Sequence, residues 1–401
     1  MKRIQNRHHP KEAFFLAVSR MFERASYYGA RAIITLYMVG ETFKMNRSEA
    51  LEVYGTFMSA MLLGPIIGGV LGDLVLGNKK TILIGGIIQA IGLLCLCIPS
   101  KTGLYAGIFL IAFGSGLFTP NLISNFGKSY LNQPKLLDSG FTLLYFAVNL
   151  GAFLGIMLIG NLGETYDYSI GFVIAAVLAL VSLIPVFMTK EKQLKFDKTQ
   201  LSIGKRTSHI LVVLIAVGIV YGIHEIASFR VFELRTRLSE MFPASGVGDY
   251  FWNSANLFFL IPLSLMAAIV WTYYYNSQLY KVVLACVFGI LSFGMLLLIP
   301  ELPTANHTII YMVSLIFLGI SEIHIAPVVY SILTRFANPK YLAIFISLSI
   351  IPTRLMAMLL ALSNEKFYDN PVFGLYSGIA VLLLMGAGVY GYLTMNRKLS
   401  A

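Results

Sequence analysis

The chain has 401 residues, 57% of them hydrophobic and only 12% charged, with a mean hydropathy of +0.76. A soluble globule carries about twice that charged share, so the composition excludes a soluble enzyme and indicates a polytopic membrane protein. The net charge of +11 does not imply a nucleic-acid partner, because most cations lie in short loops between apolar stretches, where they set topology.

A membrane-spanning helix needs roughly 20 mostly apolar residues, a rule that predicts about twelve spans here. They lie near 12–39, 49–76, 80–99, 103–131, 136–161, 169–189, 207–237, 247–274, 279–300, 307–335, 341–363 and 372–395. The first apolar stretch runs into a charged motif without a small-residue cleavage site, so no cleavable signal peptide is expected. Lys2, Arg3 and Arg7 precede the first span, Lys79 and Lys80 follow the second, Lys128 and Lys135 the fourth, and Arg397 and Lys398 end the chain. Alternate loops are sparser in cations or acidic, which predicts cytoplasmic N- and C-termini. The predicted class is an all-α integral membrane protein of two six-helix bundles. An N-terminal bundle covers 1–189, a cytoplasmic lysine-rich linker 190–206, and a C-terminal bundle 207–401. Six plus six spans joined this way is the layout of the major facilitator superfamily. Cys95, Cys97 and Cys286 all fall inside predicted helices and read as buried apolar thiols. No metal site and no cofactor are expected.

The first span carries "SRMFERASYYGARAIITLYM", Ser19 to Met38. At 100° per residue Arg20, Arg24, Tyr27 and Arg31 share one face, with Glu23 beside them. A charge at membrane depth costs several kcal/mol unless it meets water or a partner. The set extends over about 16 Å, too far for every member to reach a lipid surface. One face of cations therefore predicts a polar cavity with acidic residues opposite.

"GGVLGDLVLGNKK", Gly68 to Lys80, joins spans two and three. Its glycines allow close packing and a tight turn. Asp73 then sits where a carboxylate can dock on a neighbouring helix N-terminus and bias one conformation. The spacing resembles the loop motif of the major facilitator superfamily.

In the second half, Glu225 lies in span seven and Glu322 in span ten, both within otherwise apolar sequence. His224 and His324 neighbour them at spacings that share no helix face, which favours packing or hydrogen bonding over a metal. Arg230, Glu233, Arg235 and Arg237 read as a solvated helix end, Tyr273 to Tyr275 as an interfacial aromatic belt. Arg354 is assigned no role. No P-loop, nucleophile elbow or zinc-protease motif appears, so neither ATP drive nor enzyme catalysis is expected.

Several stretches together resemble the proton-dependent oligopeptide transporters. "FERASYYGARAIITLYM" is similar to that family's E-x-x-E-R-F-x-Y-Y-G signature. "FGSGLFTPNLISNFG" is similar to its fourth-helix G-x-G-x-x-K-P-N motif, and "FTLLYFAVNLGAFLG" to its fifth-helix F-x-x-F-Y-x-x-I-N. "SEIHIAPVVYSILTRFA" is similar to its tenth-helix G-E-x-x-x-x-P. Asn256, Ala268 and Trp271 keep its eighth-helix spacing. The matches occur in order through both halves. The resemblance implies substrate contacts for Arg24, Tyr27, Tyr28, Arg31, Thr119, Asn149, Asn256 and Glu322. It implies proton coupling and gating by Arg20, Glu23, Arg24, Glu225 and Glu322, with Asp73 as a gating carboxylate. In this superfamily spans one and four face spans seven and ten, which makes Glu225 and Glu322 the expected partners of the first-helix arginines.

Three departures bear on function. Arg20 stands where the signature has its first glutamate, Thr119 where the fourth helix has a lysine, and Leu62 where the second helix has a tyrosine. One cation leaves span four while another appears on span one, so Arg20 is expected to fill the lysine's space and reach Glu23 or a substrate carboxylate. Loss of the acid leaves Glu225 and Glu322, with His224 or His324, as candidate titrating groups. The linker has no room for the two extra helices that many bacterial relatives carry. The expected partners are a di- or tripeptide or similar zwitterion, protons and the lipid bilayer, with the protein a monomer in a bacterial inner membrane. A carrier of another solute such as an organic anion, and a non-transporting membrane sensor, stay open as alternatives.

Overall fold

Helices carry nearly all of the structure, because a chain this apolar must satisfy its backbone groups internally. The computed structural model describes residues 2–3, 8–40, 42–190, 203–242, 246–353, 355 and 370–399. Arg354, most of the expected linker and much of the eleventh expected span lie outside the described residues. The described helices are α1 (Lys11–Val39), α2 (Arg47–Val70), α3 (Asn78–Cys95), α4 (Lys101–Ser129), α5 (Leu137–Thr165) and α6 (Tyr168–Phe187). They continue with α7 (Ile203–Ser239), α8 (Gly246–Tyr273), α9 (Gln278–Leu297), α10 (His307–Phe336), α11 (Leu342–Leu348) and α12 (Pro371–Leu399). Among the described residues eight helices are long and apolar enough to cross a membrane. The charge-bearing α1 is not one of them.

Two helices depart from regular α geometry inside the membrane-length segments. α2 runs on into a π-helical turn, Leu71–Leu76, and α5 contains another, Ile156–Gly160. α10, expected as one helix, breaks between Ile323 and Ala326. Pro327 supplies the cause: it has no N–H to continue the ladder. Tyr274–Tyr275, at the end of span eight, form a two-residue strand paired antiparallel with Lys2–Arg3. Cys97, expected mid-helix, lies just past the end of α3 and donates weakly to Leu93 O and Ser169 O at 3.8 and 3.6 Å.

The chain forms two compact units. The first holds His8–Ser202 together with Leu333–Ile350; the second holds Ile203–Ile332, the N-terminal residues to Arg7 and the segment from Ile351. In the first unit α4 is the central element. It packs against α3 along Gly85, Gly92, Gly107 and Gly114, and against α2 along Gly64 and Gly116. A Cβ on Gly116 would lie 2.7 Å from Gly64 Cα, and one on Gly114 would lie 2.5 Å from Gln89 N. Only glycine permits backbones this close, as membrane helix interfaces favour. The apolar core of this unit gathers around Ile33, Tyr37, Leu93, Ile111 and Phe172.

Candidate functional site

The charged face of α1 turns toward α4. Glu23, fully buried, is the hub, and its carboxylate takes four hydrogen bonds. Oε2 accepts from Arg20 Nη1 at 2.8 Å and from Arg24 Nε at 2.7 Å. Oε1 accepts from Arg24 Nη2 at 2.5 Å and from the Ser115 hydroxyl at 3.2 Å. Arg20 Nη1 also donates to Thr119 Oγ1 at 2.9 Å, and Arg24 Nη2 to Ser115 Oγ at 2.8 Å. Arg20 and Arg24 are each only 6% exposed. Burying two guanidiniums costs far more than their packing returns unless charge and donors are matched. The Glu23 carboxylate and the Ser115 and Thr119 hydroxyls supply much of that match. The Arg24 guanidinium carbon lies 4.5 Å from the centroid of the Tyr27 ring and 5.5 Å from that of Tyr28, and the two rings meet edge to face. An aromatic face favours a cation there without neutralising it.

Glu23 serves both Arg20 and Arg24 from their own helix, the Arg24 side chain curling back through Nε and Nη2 to grip it. Arg20 does take the place expected of it, between Glu23 and Thr119. Tyr27 is buried and directs its hydroxyl to Met61 Sδ at 3.8 Å, whereas Arg31, further along the same face, is exposed. Asn149 is buried on α5 and gives its amide to Tyr145 O of its own helix, 2.8 Å away. Leu62 is half-buried. Ser115 went unmarked in the sequence; its one signal is a hydroxyl four residues before Thr119, matching the four-residue spacing of Arg20 and Arg24.

A second polar cluster lies where α2 ends. Asp73 Oδ2 accepts the backbone N–H of Ile344 at 2.9 Å, at the start of α11, and Oδ1 accepts from Asn78 Nδ2 at 3.0 Å. Lys128 Nζ sits 3.8 Å from Asp73 Oδ1 and donates to Asn78 Oδ1 at 2.6 Å. Asn121 ties this cluster to the backbone by donating to Gly68 O and Leu117 O. A carboxylate against the free N–H groups of a helix start, with an ammonium behind it, is a stable docking pair.

The second unit carries the remaining expected residues. Glu225 on α7 and Asn256 on α8 are exposed, and Glu322 on α10 is half-buried. His224 Nε2 lies 3.1 Å from Ser321 Oγ, whose own hydroxyl donates to Ala285 O, so this imidazole is held by hydrogen bonding. His324 gives Nδ1–H to Ile320 O at 2.7 Å and stands edge-on to Trp271, over which Lys281 Nζ lies at 4.4 Å. Arg230 corrects the reading of a solvated helix end. It is 2% exposed and donates to Glu233 at 2.7 Å and to the carbonyls of Ile299 and Pro300 at 2.7 and 3.2 Å. The carbonyls left over where α9 ends need donors, and a planar guanidinium supplies several at once. Among the described residues no His, Cys, Asp and Glu group is arranged to hold a metal.

A family model described as the POT family matches residues 79–243. The chain is 37% identical over 191 residues to an uncharacterized transporter, YclF, of Bacillus subtilis, covering 46% of this chain and 39% of that one. It is 34% identical over 174 residues to dipeptide and tripeptide permease A of Proteus mirabilis, covering 43% and 36%. A di-/tripeptide transporter of Lactococcus lactis is 29% identical over 181 residues, with 43% and 36% covered. The matches thus span well under half the length of these curated relatives. In fold, the chain superposes on the crystal structure of a POT family transporter in complex with a thioalcohol-conjugated peptide, with a TM-score of 0.68 at 18% identity over 98% of this chain and 97% of that one. It also superposes on the peptide transporter POT in complex with sulfate, at 0.64 and 22% identity over 96% and 95%. The chain is thus similar to the POT family over residues 79–243 and shares the multi-helix fold of solved POT family transporters.

Proposed function

We propose that the protein is a secondary active transporter that moves small peptides or peptide-like zwitterions across the membrane by alternating access. The observation that carries this reading is the buried Arg20–Glu23–Arg24 cluster, with the Arg24 guanidinium lying over the Tyr27 and Tyr28 rings. Such a group receives a carboxylate, and the relatives named as di- and tripeptide transporters support a peptide as its owner. In this reading Arg24, Tyr27, Tyr28, Arg31 and Thr119 meet the carboxylate end, Asn149 and Asn256 the peptide backbone, and Glu322 the amine. Proton coupling is assigned to Glu225 and Glu322, because Arg20 occupies the place of the signature's first acid. A ligand opens a gate only by binding one conformation better than the other; Asp73, docked on α11, is the proposed holding contact.

The six-helix halves 1–189 and 207–401, cytoplasmic termini, a monomeric state and a bacterial inner membrane belong to the same proposal. The test is uptake of labelled dialanine and trialanine into proteoliposomes, with and without an inward proton gradient. Gradient-stimulated uptake of either peptide is the expected result. Folded protein that takes up neither under any gradient refutes the proposal. The two buried arginines also favour a second reading, a carrier of organic anions. Thermal stabilisation by monocarboxylates with none by peptides would select it.

A further inference from the structure

The face of α7 that Glu225 occupies continues along the helix. Glu225, Ser228, Phe232, Arg235 and Thr236 recur at helical spacing and share that face. All are exposed except Arg235, which is half-buried. The opposite face is buried, with Ala227, Leu234 and Leu238 wholly unexposed. The membrane-length segment here is Leu214–Ser239, and Glu225 stands near its middle. A carboxylate held against lipid at that depth is costly, so this face meets water rather than acyl chains. A cavity of about 800 Å³ lies along it, lined by Ser228, Phe229, Phe232, Arg235, Thr236 and, from α12, Pro371. Aromatic walls carrying a few polar groups are the lining of a small-molecule site.

Arg235 differs from the other polar groups of this cavity. Glu233, the acid in the lining, takes Arg230 at 2.7 Å on one oxygen and Arg237 at 3.0 Å on the other. The hydroxyls of Ser228 and Thr236 are donated back to Glu225 O and Phe232 O at 2.6 and 3.1 Å. The Arg237 guanidinium, besides its pair with Glu233, donates to Glu301 O. Arg235 has its guanidinium carbon 4.8 Å from the centroid of the Phe232 ring, and among the described residues it makes no hydrogen bond or ion pair. An aromatic face orients a guanidinium without using its N–H groups. Arg235 is therefore the side chain of this lining that keeps donors for a ligand, and a guanidinium fork matches a carboxylate with two parallel hydrogen bonds.

We propose that Arg235 is a specificity-determining residue, which receives the carboxylate of a small solute in the α7 cavity. That this solute is a transported peptide rests on the transporter reading above; carboxylate binding at Arg235 does not. In dialanine uptake, Arg235→Gln raises KM at least about tenfold, the loss of a hydrogen-bonded contact to a charged group, and leaves kcat within about twofold. Arg235→Lys keeps the charge without the fork and stays within about threefold of the wild-type KM. An unchanged KM in Arg235→Gln, or no recovery in Arg235→Lys, overturns the proposal. If the wild type takes up no dialanine, the transporter reading fails and a second measurement decides. Phenylglyoxal, which modifies accessible arginines, is applied to the wild type in detergent with and without N-acetylalanine, and modification of the α7 peptide is read by mass spectrometry. The carboxylate slows modification of Arg235 at least about twofold by occupying the site and leaves that of Arg237 unchanged. An Arg235 that does not react, or that N-acetylalanine does not protect, overturns the proposal.

Discussion

Glu23→Gln is the sharpest single perturbation of the cluster. The carboxylate has no exposure and accepts from Arg20, Arg24 and Ser115. The amide keeps the shape and one acceptor oxygen but removes the anion that Arg20 and Arg24 share. Removing one partner of a buried ion pair costs about 3–5 kcal/mol. For a cooperative unit of this size each kcal/mol moves the thermal midpoint by about 2–4 °C, so the midpoint falls by about 6–20 °C. The assay is thermal unfolding in detergent, followed by tryptophan or dye fluorescence. Arg20→Met in the Glu23→Gln background recovers part of the loss, since it removes one of the two cations. A Glu23→Gln midpoint within 2 °C of the wild type would refute the reasoning, because the arginines would then owe their burial to something else.

Two further outcomes are expected. Arg230→Met strips the Ile299 and Pro300 carbonyls of their donor, at about 1–3 kcal/mol each; Arg237→Met, at an exposed pair with Glu233, costs at most about 1 kcal/mol, and parallel melts of the two variants check the difference. His9 precedes α1, lies 2.8 Å from the Tyr130 hydroxyl, and is held by burial below its ordinary value of 6.5. The unfolded chain therefore binds a proton near pH 6.5 that the folded chain refuses, so the His9 contribution to stability is intact above that pH and lost as pH falls below it. Melts at pH 7.5 and 5.5 should show a larger acid loss in the wild type than in His9→Gln.

Helix positions were legible because apolar runs of membrane length announce themselves. The docking of Asp73 on a helix start was legible too, from its place in a glycine-rich loop between two spans, whereas its contacts with Asn78 and Lys128 were not. The arginine face of α1 was visible from spacing alone, but its partners were not. That Glu23 reaches two arginines at once depends on the side-chain path of Arg24, which spacing does not give. Ser115 hid between glycines that look like packing residues, and its role depends on which side of α4 each glycine occupies. Arg230 looked like a surface charge because its acceptors are carbonyls some 69 residues away, and backbone acceptors leave no mark in a sequence. The break in α10 had its signal, Pro327, masked by the apolar run around it.

The cluster on α1 also dictates an order of events during synthesis. Arg20 and Arg24 of α1 meet the Thr119 and Ser115 hydroxyls of α4, and Thr119 follows Arg20 by 99 residues. At about 5–20 residues per second, the ribosome needs roughly 5–20 s to make that stretch. Until then the first helix is a poor candidate for release into lipid, and it must wait in the translocon's aqueous channel or beside a chaperone. Insertion of α1 is thus completed only after α4, its third successor, has been made.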